Sequence, residues 1–227
     1  MHNLMSPPKL VIFDCDGVVV DSESLTIQLM RNDLASRGLE LSLPEMIDLA
    51  VGGTIAGVGA QAKALGADIP DDWANQFYAK MFTVLGQSVK SIPGIEAVLD
   101  VLDHHGTPYA IGSNGSHKKM EITLGRCLLA ERFAGRVFSR EDVTNPKPAP
   151  DVYLLAAAKA GIAPRDCVVI EDSAAGARAA PSGDAEDACQ RRRGCCFQRS
   201  RCFAGAILHL HPRAPRGRVF RARGRHH

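Results

Sequence analysis

Long apolar runs are missing from this 227-residue sequence. No stretch approaches the roughly 18 consecutive apolar residues that a membrane-spanning helix requires. The first ten residues, MHNLMSPPKL, contain no apolar segment ahead of their two prolines, so no secretory signal peptide is predicted. These absences argue against a membrane or exported protein, and we expect a cytoplasmic protein with no membrane partner.

Cysteines with the spacing of a metal site are also missing. Three of the seven cysteines are scattered through the first 180 residues, and the other four lie between 189 and 202. There is no C-x-x-C pair with a spaced partner, so a zinc site is not predicted. Isolated cysteines favour a reducing compartment over a disulfide framework.

Lysine is absent from residue 181 onward, where the composition changes abruptly. Residues 181–227 contain 11 arginines and only three acids, a net charge of +8, whereas the preceding 180 residues carry −6. Pro181 is expected to end the last helix, and within the tail only 203–210 has the pattern of a strand. The segment 181–227 is therefore an atypical tail.

This tail has three interpretations. Its arginines would attract nucleic acid by charge, and its Cys and His clusters suggest zinc, but we favour neither, and no nucleic-acid partner is expected. Our hypothesis is that residues from about 181 are an out-of-frame translation of a gene whose normal end was lost. Arginine without lysine, with clustered Cys, Pro, Gly and His, is typical of a GC-rich gene read in the wrong frame. If the coding DNA offers no better continuation in another frame, the hypothesis is wrong.

A helical insertion is predicted after the first strand. The apolar run LVIF (10–13) predicts a strand buried on both faces. Helical spacing without a strand signal follows over 22–91, with a capping box at SLPE (42–45) and a loop without basic residues at 50–59. The last helix of this insertion has a predicted buried stripe at Trp73, Phe77, Met81 and Val84.

Strands then alternate with helices, which predicts an α/β fold with a Rossmann-like, doubly wound parallel sheet. We expect the core to comprise residues 1–21 and 92–180, with 22–91 as a helical cap. Further strands are predicted over 109–113, 136–139 and 167–172.

Polar side chains stand where these strands end. The carboxyl ends of parallel strands share one edge of a sheet, which is where ligands bind in such folds. That edge therefore collects acids, a hydroxyl and an amide: Asp14, Asp16, Ser113, Asn114, Glu171 and Asp172.

The ordered motifs DCDGV, SNG, NPKP and IEDS resemble those of the haloacid dehalogenase-like superfamily. The resemblance covers roughly residues 9 to 180. It is strongest to the phosphatase branch with a helical cap after the first strand, which includes phosphoglycolate phosphatases and beta-phosphoglucomutases. It implies a phosphatase acting on a small phosphorylated metabolite through an aspartyl-phosphate.

The resemblance also implies roles for individual residues. Asp14 would be the nucleophile, and Asp16 the general acid and then the base that activates water. Ser113 and Asn114 would bind the phosphate group. Lys147 would neutralise the attacking carboxylate and the phosphoryl group.

A magnesium ion is the implied cofactor. It would be held by the side chains of Asp14, Glu171 and Asp172 and by the backbone carbonyl of Asp16. Glu171 would either bind the ion directly or contact the residues that bind it. Lys118 and Lys119 are expected to lie on a solvated helix face.

A phosphosugar mutase is the alternative activity, and a chain inactivated by its altered C-terminal part is a further possibility. A monomer or weak dimer is expected.

Overall fold

The computed structural model describes residues 7–50, 53–179 and 206–209. Apart from 206–209, the predicted tail lies outside the described residues. The strands are β1 (Leu10–Phe13), β2 (Tyr109–Ser113), β3 (Val137–Ser139), β4 (Cys167–Glu171) and β5 (Ala206–His209). The helices are α1 (Glu23–Ala35), α2 (Leu43–Ala50), α3 (Ile55–Ala64), α4 (Trp73–Ser88), α5 (Ile95–His104), α6 (His117–Arg126), α7 (Asp151–Lys159) and α8 (Ala174–Ala179).

The strands form one sheet in the order β3-β2-β1-β4-β5. The first four strands run parallel, as predicted, and β1 lies between β2 and β4. The fifth strand falls within the predicted strand region 203–210 but runs antiparallel to β4, with Val169 opposite Leu208. An antiparallel neighbour satisfies the backbone groups of β4 as a parallel one would, because either direction supplies donors and acceptors along the edge.

The two faces of the sheet are covered by different helices, as a doubly wound fold requires. On one face, Phe13 packs in a cluster with residues of α5 and α6 such as Leu99 and Met120. On the other face, Ile12 packs against the α7 residues Val152 and Tyr153. Successive strand residues point to opposite faces, so a strand buried on both sides must be apolar throughout.

Between β1 and α5 lie four helices, α1 to α4. The predicted capping box is confirmed, since the Ser42 backbone N–H donates to Glu45 Oε2 at 2.8 Å and the Glu45 N–H to Ser42 Oγ at 3.4 Å. The fully buried stripe of α4 ends in Leu85, whereas the predicted Val84 is only half-buried. The boundaries of the cap at 22 and 91 remain a prediction.

Helix α3 begins within the segment 50–59, for which a loop is predicted, so that part of the prediction is wrong. Thr54 caps it by accepting the Gly57 N–H at 3.0 Å. A Cβ on Gly59 would lie 2.6 Å from the ring of Trp73, so glycine here permits close packing of α3 on α4. Tertiary contact thus outweighs the low helix propensity of glycine.

In the described part of the chain, every helix is too short or too polar to cross a membrane.

Candidate active site

The carboxyl ends of the central strands bring the predicted acids together. Asp14 directly follows β1, Glu171 is the last residue of β4, and Asp172 follows it. A carboxylate oxygen from each of these three residues lies within 4.8 Å of the others. Three ionised carboxylates this close repel one another, and either a cation among them or a raised pKa relieves the repulsion.

Lys147 supplies one positive charge inside this cluster. Its Nζ atom lies 2.7 Å from Asp14 Oδ1 and 2.8 Å from Glu171 Oε2. The side chain is only 3% exposed, although the residue lies in a loop between two prolines. A buried ammonium in direct contact with the predicted nucleophile is placed to stabilise negative charge there.

The Asn114 side chain holds the lysine loop in place. Its Nδ2 donates to the Lys147 carbonyl at 3.1 Å, and its Oδ1 accepts the Lys147 N–H at 2.9 Å. This two-point contact joins the end of β2 to the loop before α7. The predicted part of Asn114 in phosphate binding stays a prediction.

Both carboxylate oxygens of Glu171 accept hydrogen bonds. Oε2 accepts from Lys147 and from the hydroxyl of Tyr153, while Oε1 accepts the backbone N–H of Ser173 at 2.9 Å and of Asp172 at 3.1 Å. Burial acts to raise the pKa of Glu171, but the charge and hydrogen bond of Lys147 outweigh it and the pKa is lowered. Gly176 gives this carboxylate room, since a Cβ there would lie 1.7 Å from Oε2.

Asp14 and Asp172 differ from Glu171 in their electrostatics. Burial is the main cause that raises the pKa of Asp14 to about 6, against the opposing charge of Lys147. Burial, followed by the charge of Asp14, raises the pKa of Asp172 to about 7. The Asp172 carboxylate lies against Gly17, whose φ of +79° and tight contact exclude a side chain.

These acids fit a divalent cation. Hard carboxylate oxygens are the donors that Mg²⁺ prefers, and it needs few of them because it keeps several waters. Burial is the chief cause of the raised pKa values of Asp14 and Asp172, and neighbouring carboxylates add to it, so a bound cation would favour the ionised form of both. Since Glu171 already accepts bonds at both oxygens, Asp14 and Asp172 are the side chains best placed to hold the ion.

Asp16 lies beside this cluster and is held at both oxygens. Its Oδ1 accepts the hydroxyl proton of the buried Ser22, and its Oδ2 lies 2.8 Å from Lys119 Nζ. The expectation that Lys119 lies on a solvated helix face is wrong, because its side chain is only 18% exposed. Helical spacing indicates that Lys119 borders the buried face of the helix, since it adjoins Met120 and precedes Thr123 by one turn, but it does not identify Asp16 as the partner.

Ser113 ends β2 in a buried position. Its Oγ atom accepts the Gly115 N–H at 3.1 Å. A hydroxyl that accepts in this way still carries a proton to donate, which is what binding of a phosphate oxygen requires.

Tyr153 is a contributor that sequence reasoning missed. Its hydroxyl donates to Glu171, and its ring centroid lies 4.6 Å from Lys147 Nζ. Burial, followed by the charge of Glu171, raises the pKa of Tyr153 and keeps the hydroxyl a donor. A buried tyrosine on the apolar face of a helix needs a hydrogen-bond partner, and this requirement was the available signal.

The sequence profile of the haloacid dehalogenase-like hydrolases matches residues 11–184. The chain therefore belongs to this family and is a hydrolase. Hexitol phosphatase A of Escherichia coli (strain K12) is 33% identical, covering 74% of this chain and 76% of its own length. Fructose-1-phosphate phosphatase of the same organism is 31% identical, over 75% of this chain and 89% of its own.

The fold is likewise shared with solved structures of the family. A HAD family hydrolase from Deinococcus radiodurans R1, solved with bound phosphate and sodium, superposes with a TM-score of 0.67 at 35% identity, covering 76% of each chain. A beta-phosphoglucomutase-like protein from Thermotoga maritima, 24% identical with a TM-score of 0.66, supports the fold alone.

Proposed function

We propose that this chain is a Mg²⁺-dependent phosphatase that hydrolyses a small phosphorylated metabolite, such as a sugar phosphate, through an aspartyl-phosphate. The observation that carries the proposal is the contact of the buried Lys147 with Asp14, inside a cluster of acids that one lysine does not neutralise. The names of the relatives, which act on hexitol and fructose phosphates, support the substrate class.

In the first step, a carboxylate oxygen of Asp14 attacks phosphorus as the bond to the ester oxygen breaks. Asp16, which must take up a proton before this step, gives that proton to the departing alkoxide, so that an alcohol leaves. Lys147 offsets the repulsion between the two anions as they approach, and the Ser113 hydroxyl donates to a phosphate oxygen. The product of this step is a phosphorylated Asp14.

In the second step, water attacks the phosphorus atom of the phosphorylated Asp14. Asp16 now accepts the proton of that water, the bond from Asp14 to phosphorus breaks, and inorganic phosphate is released with the Asp14 carboxylate restored. A residue that gives and then regains one proton must stay in place through both steps.

Asp14 and Asp172, with the backbone carbonyl of Asp16, would hold the magnesium ion. The Glu171 carboxylate would hold the ammonium of Lys147 in position. When bound, the ion supplies positive charge that stabilises the phosphoryl group during its transfer.

The test is phosphate release from a panel of sugar phosphates and small phosphomonoesters, with Mg²⁺ or with EDTA. Asp14→Asn is the matched variant, because it keeps the size of the side chain and removes the nucleophile. Turnover that needs Mg²⁺ and disappears in the variant is the expected result.

Two outcomes would contradict the proposal. Turnover that survives in Asp14→Asn would exclude the aspartyl intermediate. A folded chain that converts one phosphosugar into its isomer without releasing phosphate would instead be a mutase.

A further inference from the structure

Two neighbouring lysines at the start of α6 have different surroundings. Lys118 is exposed, with 63% of its side chain accessible, and pairs with Glu121 one turn away on the same helix. Lys119 is 18% exposed, and its ammonium instead reaches the loop after β1 to contact Asp16. A lysine that loses this much hydration and side-chain freedom does so for a specific contact.

The Asp16 carboxylate is thereby held from two directions. Ser22, at the residue before α1, donates to one oxygen, and Lys119 contacts the other at 2.8 Å. The backbone of Gly115 lies beneath, where a Cβ would be 3.6 Å from Asp16 Oδ2 and 3.4 Å from Ser113 Oγ. The Asp16 carboxylate therefore lies near Ser113, a predicted phosphate-binding residue.

We infer that Lys119 is a positioning residue that holds Asp16 in its proton-transfer position. This inference rests on the proposed function, since it assigns Asp16 the proton-transfer role. Proton transfer requires the donor and acceptor atoms within hydrogen-bonding reach, and a displacement of about 1 Å can cost a large part of the rate. Without Lys119, only one of the two carboxylate oxygens would keep a side-chain partner, Ser22.

A direct contact between Lys119 and the substrate is the competing explanation. It predicts a different kinetic result, because a residue that only binds substrate changes KM while kcat is kept. In the structure, the ammonium is already engaged by Asp16.

The experiment is a double-mutant cycle with Lys119→Met and Asp16→Asn. In an otherwise native chain, we expect Lys119→Met to lower kcat for a sugar phosphate about tenfold, with KM within about twofold. The slower Asp16→Asn chain is followed with the same sugar phosphate at a higher enzyme concentration, because the four rates of a cycle must belong to one reaction. There, adding Lys119→Met should change the rate by less than about twofold.

Controls separate this inference from a general structural role. Lys118→Met removes the adjacent exposed lysine and should leave kcat unchanged, and Lys119→Arg should restore most of the lost rate. A loss of equal size in both backgrounds, or an effect on KM alone, would overturn the inference while leaving the phosphatase proposal intact. A native chain without turnover would overturn both.

Discussion

Buried carboxylates occur in two regions of this molecule, and their surroundings differ. In the helical segment, Asp33 is 7% exposed and accepts hydrogen bonds from Trp73 Nε1 at 2.7 Å, Lys80 Nζ at 2.6 Å and Arg37 Nε at 2.9 Å. One acid there meets two cations and a neutral donor. At the sheet edge, Asp14 and Glu171 share the ammonium of Lys147, and Asp172 lies beside them with no ion pair among the described residues.

The pKa shifts follow this difference. Burial acts to raise the pKa of Asp33, but the hydrogen bonds from Lys80, Trp73 and Arg37 outweigh it, so the pKa is lowered. The opposite holds for Asp14 and Asp172, whose pKa values are raised to about 6 and about 7, chiefly by burial. An acid with a full set of donors stabilises the fold, whereas an acid cluster short of cations is suited to binding one.

The largest expected effect tests the sheet edge. Asp14→Asn should lower phosphate release by more than about a thousandfold, because the nucleophile is lost. Its stability should stay at the native level or rise, since one of three repelling charges is removed. Phosphate release and urea unfolding of the same preparation measure the two effects. A variant that fails to fold would mean that Asp14 resembles Asp33 in its role.

The corresponding change in the helical segment should act on stability instead. Asp33→Ala should lower the free energy of unfolding by about 3 kcal/mol, because it leaves the Trp73 N–H and two cations without their acceptor. The rate per folded molecule should be kept. Urea unfolding compares it with Asp48→Ala, which removes an exposed acid from α2. Equal stability of the two variants would contradict the structural role of Asp33.

Magnesium binding should depend on the acids at the sheet edge and not on Asp33, and its effect on stability should be smaller than those above. Binding to the native state at a hundred times its dissociation constant stabilises a protein by about 2.7 kcal/mol. We expect Mg²⁺ to raise the Tm of the native chain and of Asp33→Ala, and to have little effect on Asp172→Ala. Thermal unfolding with Mg²⁺ or EDTA is the measurement. An undiminished shift in Asp172→Ala would place the ion elsewhere.

The smallest effect is the pH dependence of stability in EDTA. The raised pKa values of Asp14 and Asp172 mean that their contribution is fully present below about pH 4 and is lost as the pH rises through about 6 and about 7. The lowered pKa of Asp33 means that its contribution is present above its ordinary value of 3.8 and is lost as the pH falls below it. Unfolding from pH 3 to 8 should therefore show opposite slopes.

Substitutions of Asp14 and Asp33 should show which residue causes each slope of stability against pH. Asp14→Asn should flatten the decline between about pH 4 and 7, and Asp33→Asn should flatten the acid limb. Unchanged curves in both variants would show that other groups govern the pH dependence.

Much of the fold and of the site could be predicted from local pattern. The apolar run of β1 and the polar residues at the strand ends place Asp14, Ser113 and Glu171 at one edge, since parallel strands end together. Helix α3 could not be predicted in this way, because its glycines are explained by the packing of Gly59 against Trp73.

Several contacts in the site depend on residues far apart in the chain. Asn114 hydrogen-bonds Lys147, and Lys119 contacts Asp16, across separations that no local spacing encodes. A lysine on an amphipathic helix has the same local pattern whether its ammonium meets water or a carboxylate. The burial that decides between them arises only when the helix packs.

By itself, the sequence of this protein determined the alternation of strands and helices in the core and the acids at the strand ends, because periodicity and strand-terminal chemistry are local properties. Only the tertiary structure decided how charge is balanced among those acids. It placed the Lys147 ammonium between Asp14 and Glu171, brought the Tyr153 hydroxyl to Glu171, and buried Asp14 and Asp172 so that their pKa values are raised. Burial and the distance between charges set that balance, and both depend on the packed chain.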